Sequence, residues 1–299
     1  MHKKNLLIGN LLIILLLALS FFVWQRVYSV YSIPKEKELT VTFLDVRQGD
    51  SILVTTPEEK NILIDGGTIP KEWSTFDAGK YVVLPYLKKH EIKKLDIVIA
   101  THPDLDHIGG LSVILRNIEV LQFIDSGTIS TTQTYEELLK IVEKKKIKYK
   151  IAEKGLLELD PSIKLEILFP TDNKFINDSN NNSIVVRLEY KNVSFLFTGD
   201  IGTEAEKFYM QEYGPKISST VLKVAHHGGK NTTSADFLNY VQPEIAIISC
   251  GRNNPFGHPS KETIERLGKT GTEIYRTDQK GTITIKTNGE KYKIITAKK

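Results

Sequence analysis

With 299 residues, 40% of them hydrophobic and 25% charged, the chain can build a real core and has an ordinary globular composition, so any membrane element must be local. Lys3, Lys4 and Arg26 account for most of the net charge of +4, because residues 1–32 hold no acid and the remainder carries 37 basic against 36 acidic residues. A global basic footprint for nucleic acid is therefore excluded, as is an intramolecular disulfide, since Cys250 is the single cysteine.

Residues 6–24 form an uncharged apolar stretch of nineteen residues, close to the roughly 20 that a helix needs to cross the hydrocarbon core. A cleaved signal peptide is the alternative, but its apolar stretch usually runs roughly 7–15 residues. Here Ala18-Leu-Ser20 is followed by further apolar residues, Phe21 to Trp24. Lys3 and Lys4 place the N-terminus in the cytoplasm and send the rest of the chain outside. Trp24, Tyr28 and Tyr31 stand where an interfacial aromatic belt is expected.

After a linker around Ser32–Lys35, residues 38–299 read as one mixed α/β domain. Strands are expected at Thr40–Leu44, Ser51–Val54 and Asn61–Ile64, then a helix over Ala78–His90 interrupted near Pro85. Leu95–Ala100 is largely apolar, as expected of a strand buried on both faces. Helices follow at Leu111–Arg116, Thr134–Lys146 and Thr203–Glu212. Strands follow at Lys164–Leu168, Ser183–Tyr190, Val193–Phe197, Thr220–Val224 and Glu244–Ile248. A helix at Ser260–Leu267 and strands at Ile274–Arg276, Thr282–Lys286 and Tyr292–Thr296 close the chain. The basic run Lys140–Lys154 reads as a solvated helix end and loop, with a nucleic-acid contact as the alternative.

Of seven histidines, five fall just after an expected strand or in a Gly/Pro-rich loop, where rigid strands hold functional groups. Directly after Ala100 come His102, Asp104, Asp106 and His107, then Gly109-Gly110. Neighbouring aspartates repel each other unless a cation sits between them, and imidazole with carboxylate suits Zn²⁺, Mn²⁺ or Fe. Asp200 follows the apolar strand Val193–Phe197. His226-His227-Gly-Gly229 follows another strand, and His258 lies in the Gly257-His-Pro259 loop. In a strand, adjacent histidines point oppositely, so one of the His226–His227 pair is expected to be a ligand.

These clusters resemble the metallo-β-lactamase superfamily, and most nearly the hydrolase domain of the ComEC competence proteins and their stand-alone relatives. Phe43–Leu53 looks like that group's opening strand and turn, with Arg47 where glycine is usual. Ile64-Asp-Gly-Gly67, Asn181-Asn-Ser-Ile-Val185 and Thr277-Asp-Gln-Lys-Gly281 match it as well. The resemblance implies a four-layer αββα sandwich binding one or two divalent ions, Zn or Mn. His102 and Asp104 would bind one metal, Asp106 and His107 the second, and Asp200 would bridge them. His226 is the preferred last ligand, because it comes first after the strand, leaving His227 beside the site or as a proton donor. Asp65 would support the site. Asn182 would assist the first metal, since the third motif lacks the superfamily's usual histidine.

The chemistry implied is hydrolysis by a metal-bound hydroxide, with Asp106 orienting the nucleophile and His258 or His227 serving the leaving group. A phosphodiester substrate, DNA foremost, is expected outside the membrane. A phosphorylcholine-ester phosphodiesterase acting on cell-wall polymers and a catalytically silent metal-binding domain are the alternatives. β-Lactam hydrolysis is disfavoured by Asp104 and Asn182 standing in place of histidines. DNA import by this chain alone is not expected from one span. No protein partner is indicated.

Overall fold

A computed structural model describes residues 2–31, 37–69, 76–168 and 178–298; the linker Ser32–Lys35 and the side chains of Lys3, Lys4, Tyr28 and Tyr31 lie outside what is described. The chain divides into two units, residues 1–37 and 38–299. The first holds one helix, α1, His2–Tyr31. From Ile8 to Arg26 its mean hydropathy is 2.2 and its side chains are exposed on every face. A helix with a water-facing side would carry polar residues there, whereas this one is apolar all round and long enough to cross a membrane.

In the second unit, β1 (Leu39–Phe43), β2 (Ile52–Thr55), β3 (Asn61–Ile64), β4 (Lys94–Ala100), β5 (Glu119–Asp125) and β6 (Lys148–Ile151) begin one sheet. A second sheet takes β7 (Gly155–Leu156), β8 (Lys164–Ile167), β9 (Val186–Tyr190), β10 (Val193–Phe197), β11 (Val221–Lys223), β12 (Ile245–Ile248) and β13 (Glu273–Arg276). Then β14 (Ile283–Thr287) and β15 (Tyr292–Thr296) return to the first, whose order is β15-β14-β1-β2-β3-β4-β5-β6. The second sheet runs β13-β12-β11-β10-β9-β8-β7.

The alternation of side chains along each strand builds the layers. In β4, Ile97 and Ile99 face inward and meet Phe195, Phe197 and Ile247 of the other sheet. Val98 and Ala100 face outward and are covered by helices carrying Leu111, Ile114 and Leu138. The second sheet repeats this, with Leu222 and Ala246 under Tyr209, Phe237 and Leu267. The result is an αββα sandwich of four layers.

Strands β3 to β6 are parallel, as are β10 to β13. Their carboxyl ends therefore come out on one edge of each sheet, and every functional loop leaves from those ends. This is where α/β sheets place their sites.

Two expectations differ from the structure. The strand expected from Ser183 starts at Val186 instead, which releases Asn181–Ser183 into the site. The lysine run contains the edge strand β6, where lysines discourage pairing with other sheets. Four of its lysines have partners: Lys140 with Glu136, Lys145 with two backbone carbonyls, Lys150 with Glu153 and Lys154 with Glu212.

Candidate metal centre

The loop after β4 turns at once into a short helix, α2, Leu105–Ile108, and so folds His102 and His107 back over each other with ring centres 4.1 Å apart. Asp65, at the end of β3, fixes them from below. Its carboxylate accepts from the Thr101 amide at 2.8 Å and the Thr101 hydroxyl at 2.7 Å. It also accepts from His107 Nδ1 at 2.8 Å. Asp65 thus ties the Thr101 backbone and side chain to the His107 ring. Gly49 is required here: with φ at 125°, a Cβ would stand 2.1 Å from the Asp106 carbonyl oxygen.

The three buried rings, His102, His107 and His227, are each held at Nδ1 and offer Nε2. His227 Nδ1 donates to the Ser249 carbonyl at 2.8 Å. His102 Nδ1 lies 3.1 Å from Thr101 Oγ1 and 3.3 Å from Ser183 Oγ. Pinning one ring nitrogen sets the orientation and leaves the other lone pair for a ligand. Among the described residues, Nε2 of His102, His107 and His227 and Oδ1 of Asp200 are buried without a hydrogen-bond partner. Four such atoms in one cluster would be costly in the absence of a ligand.

Their spacing fits a cation. Asp200 Oδ2 is 3.3 Å from His107 Nε2 and 3.4 Å from His227 Nε2, and Asp106 Oδ2 is 3.3 Å from His227 Nε2. Ligands about 2.0–2.1 Å from a tetrahedral ion stand about 3.3 Å apart. Of four possible ligand sets, His102–His107–Asp200 and Asp106–His107–His227 overlap at His107, Asp50–Asp200–His227 links Asp200 to His227, and Asp50–Asp65–His107 lies beneath them. Asp104 is less committed. Its side chain is 44% exposed, with Oδ2 3.8 Å from His102 Nε2 and Oδ1 accepting from Ser179.

Electrostatics make the same demand. Burial pushes the Asp200 carboxyl up, but His227 and His107 outweigh it and hold it well below the usual range. Burial pushes His107 and His227 down, yet Asp200 leads the carboxylates that hold both well above the ordinary imidazole value. In the absence of a metal the cluster thus draws protons, and a divalent ion supplies the same positive charge.

The expected order of the two adjacent histidines is reversed. His227 is buried in the cluster, whereas His226 is 36% exposed, with Nε2 3.9 Å from Asp200. The dipeptide does not continue β11; both residues adopt left-handed conformations, φ 49° and 54°, so strand alternation does not apply. His226 faces the cleft, with His258 5.5 Å away. Burial, with His227 and His226 nearby, depresses the His258 pKa.

The third-motif segment contributes through Ser183, which the sequence reading missed. Its Oγ accepts from the Asp200 amide and contacts His102, while buried Asn182 donates to the Asp178 carbonyl. Asp50 and Lys223 were also missed. They form a fully buried ion pair at 2.5 Å, and Asp50 Oδ1 lies 3.5 Å from His227 Nδ1. Lysine inside the apolar run Val221–Val224 was the available signal, since buried lysines are nearly always paired.

Comparison with known proteins fits this geometry. Residues 44–252 match the model of the metallo-β-lactamase superfamily. The chain belongs to that superfamily. It is 34% identical over 253 residues to ComE operon protein 3 of Bacillus subtilis, covering 81% of this chain and 32% of that protein. Competence protein ComA of Neisseria gonorrhoeae is 31% identical over 258 residues, covering 86% and 33%. The chain thus spans about a third of the length of the curated relatives it matches. Among solved structures, YhfI of Bacillus subtilis shares the fold with a TM-score of 0.53 at 10% identity, covering 83% of this chain and 100% of that one. The chain is thus a member of this superfamily that is similar to a segment of competence proteins.

Proposed function

We propose that the protein is a phosphodiesterase of the competence type, held by its N-terminal helix at the outer face of the membrane. The observation that carries this reading is the pair of ligand sets that overlap at His107, with Asp200 standing 3.4 Å from His227 between them, at the floor of a cleft that opens to solvent. Two ions at such sites activate water and neutralise charge on the attacking and departing oxygens of an ester.

The chain's own residues would divide the remaining work. His102, Asp106, His107, Asp200 and His227 would hold the metals, with Asp104 able to join from the cleft wall. Asp65, Ser183 and Ser249 keep the rings aimed. With His227 committed to the cluster, service to the leaving group falls to His258 and His226. A depressed pKa keeps His258 neutral at pH 7, and a neutral imidazole still has one N–H to offer a phosphoryl oxygen. Lys3 and Lys4 beside the apolar stretch support an outward-facing catalytic unit.

The test uses the full chain in detergent, stripped of metal and reloaded with Zn²⁺ or Mn²⁺, on bis-p-nitrophenyl phosphate, p-nitrophenyl phosphorylcholine and single-stranded DNA. Metal-dependent turnover of the diester bis-p-nitrophenyl phosphate is expected. Turnover of none of the three would sink the reading and favour a silent metal-binding domain.

A further inference from the structure

The cleft above the cluster, about 710 Å³ in volume, has walls that the metal-binding groups do not account for. Arg47 is the first anomaly. Its backbone has φ 66°, a left-handed conformation that favours glycine and disfavours a long side chain. Strained positions of this kind concentrate at functional sites. Its guanidinium lies 3.8 Å over the Phe76 ring, which in turn stacks on Tyr81. Among the described residues no carboxylate is paired with it. Arg47 lines the cleft and there offers an oriented cation that, among the described residues, no carboxylate neutralises.

Phe256 is the second. It lines the same cleft, rests on His258 with ring centres 5.8 Å apart, and is 61% exposed. An aromatic ring left in water beside a catalytic cluster is a face awaiting a planar partner.

We propose that Arg47 and Phe256 determine substrate choice by gripping single-stranded nucleic acid, Arg47 through a phosphate flanking the scissile one and Phe256 through a stacked base. The proposal rests on the phosphodiester reading above. Base stacking on an exposed ring requires an unpaired base, which excludes an intact duplex. A choline headgroup fits less well. It would need several free aromatic faces around a cation, and here one ring face is already covered by Arg47, whose charge repels a quaternary ammonium.

The experiment compares kcat/KM on a fluorogenic single-stranded oligodeoxynucleotide with kcat/KM on bis-p-nitrophenyl phosphate, which is too small to reach both walls. Wild type, Phe256→Ala, Arg47→Gly and Arg47→Lys are assayed as the full chain in detergent. Glycine suits the backbone at position 47, so that variant relieves strain instead of adding it. The DNA-to-diester ratio should fall roughly 10-fold in Phe256→Ala. In Arg47→Gly it should fall with a rise in KM larger than the drop in kcat, and the salt dependence of log KM should flatten by about 0.7. Arg47→Lys keeps the charge and should keep the slope. An unchanged ratio in Phe256→Ala and Arg47→Gly, including an equal fall on both substrates, overturns the proposal. So does a wild-type preference for p-nitrophenyl phosphorylcholine over DNA. Failure of the wild type on every phosphodiester instead defeats the underlying functional reading.

Discussion

Replacing Asp200 with alanine should lower turnover of bis-p-nitrophenyl phosphate by about 10³-fold or more. Its carboxylate is the one that approaches both His107 Nε2 and His227 Nε2, at 3.3 and 3.4 Å. On the proposed two-ion reading, removing it would take charge from both metal positions, whereas losing Asp104, on the half-exposed wall, would affect one. The backbone should tolerate the change, because the loop at Asp200 is held by its amide, which donates to Ser183 Oγ at 3.1 Å. Far-ultraviolet circular dichroism should therefore match the wild type. A well-folded variant retaining a tenth of the wild-type rate would mean that Asp200 does not bind metal.

The second large effect is on stability. Lys223 and Asp50 are 0% and 2% exposed in their side chains, and Lys223 Nζ also donates to the Val224 carbonyl. Lys223→Ala leaves a buried carboxylate uncompensated and should cost about 3–5 kcal/mol in urea unfolding of the metal-free protein. The double change Asp50→Asn with Lys223→Met should cost less than the single one, since it buries no lone charge. Burial pushes the Asp50 carboxyl up, but Lys223 and His227 together hold it at about 2 against an ordinary 3.8. A carboxyl depressed on folding stabilises above its unfolded value. Stability from Asp50 should thus be complete above about pH 4 and drain away as the pH falls toward 2. A Lys223→Ala protein as stable as wild type, with the same acid limb, would show that the pair contributes nothing.

Much of this site was legible because its signals are local. Ile97–Ala100 is apolar on both faces, so a buried parallel strand was readable, and the dense His102–His107 loop at its end marked the cluster. The strands that became β10 and β11 were readable from their apolar runs in the same way. Strand β5, next to the edge strand, escaped because Glu119 and Gln122 interrupt its apolar run and its first half is partly exposed. Strand β6 escaped because an edge strand rich in lysine resembles a solvated loop. The exchange between His226 and His227 could not be read from spacing, since it depends on two left-handed residues in a turn. Ser183, Asp50 and Lys223 act across the space between elements, where a single sequence has no register to align them.

The central claim is that the buried imidazoles meet on divalent metal, with His227 inside the cluster and His226 outside it. Metal content by plasma mass spectrometry, after purification and dialysis, tests this directly on wild type, His227→Ala and His226→Ala. Wild type should hold roughly one to two ions per chain, His227→Ala should lose at least one of them, and His226→Ala should keep the wild-type content. A metal-free wild type that takes up no Zn²⁺ or Mn²⁺ when these are added back, or loss in His226→Ala with retention in His227→Ala, would contradict the account.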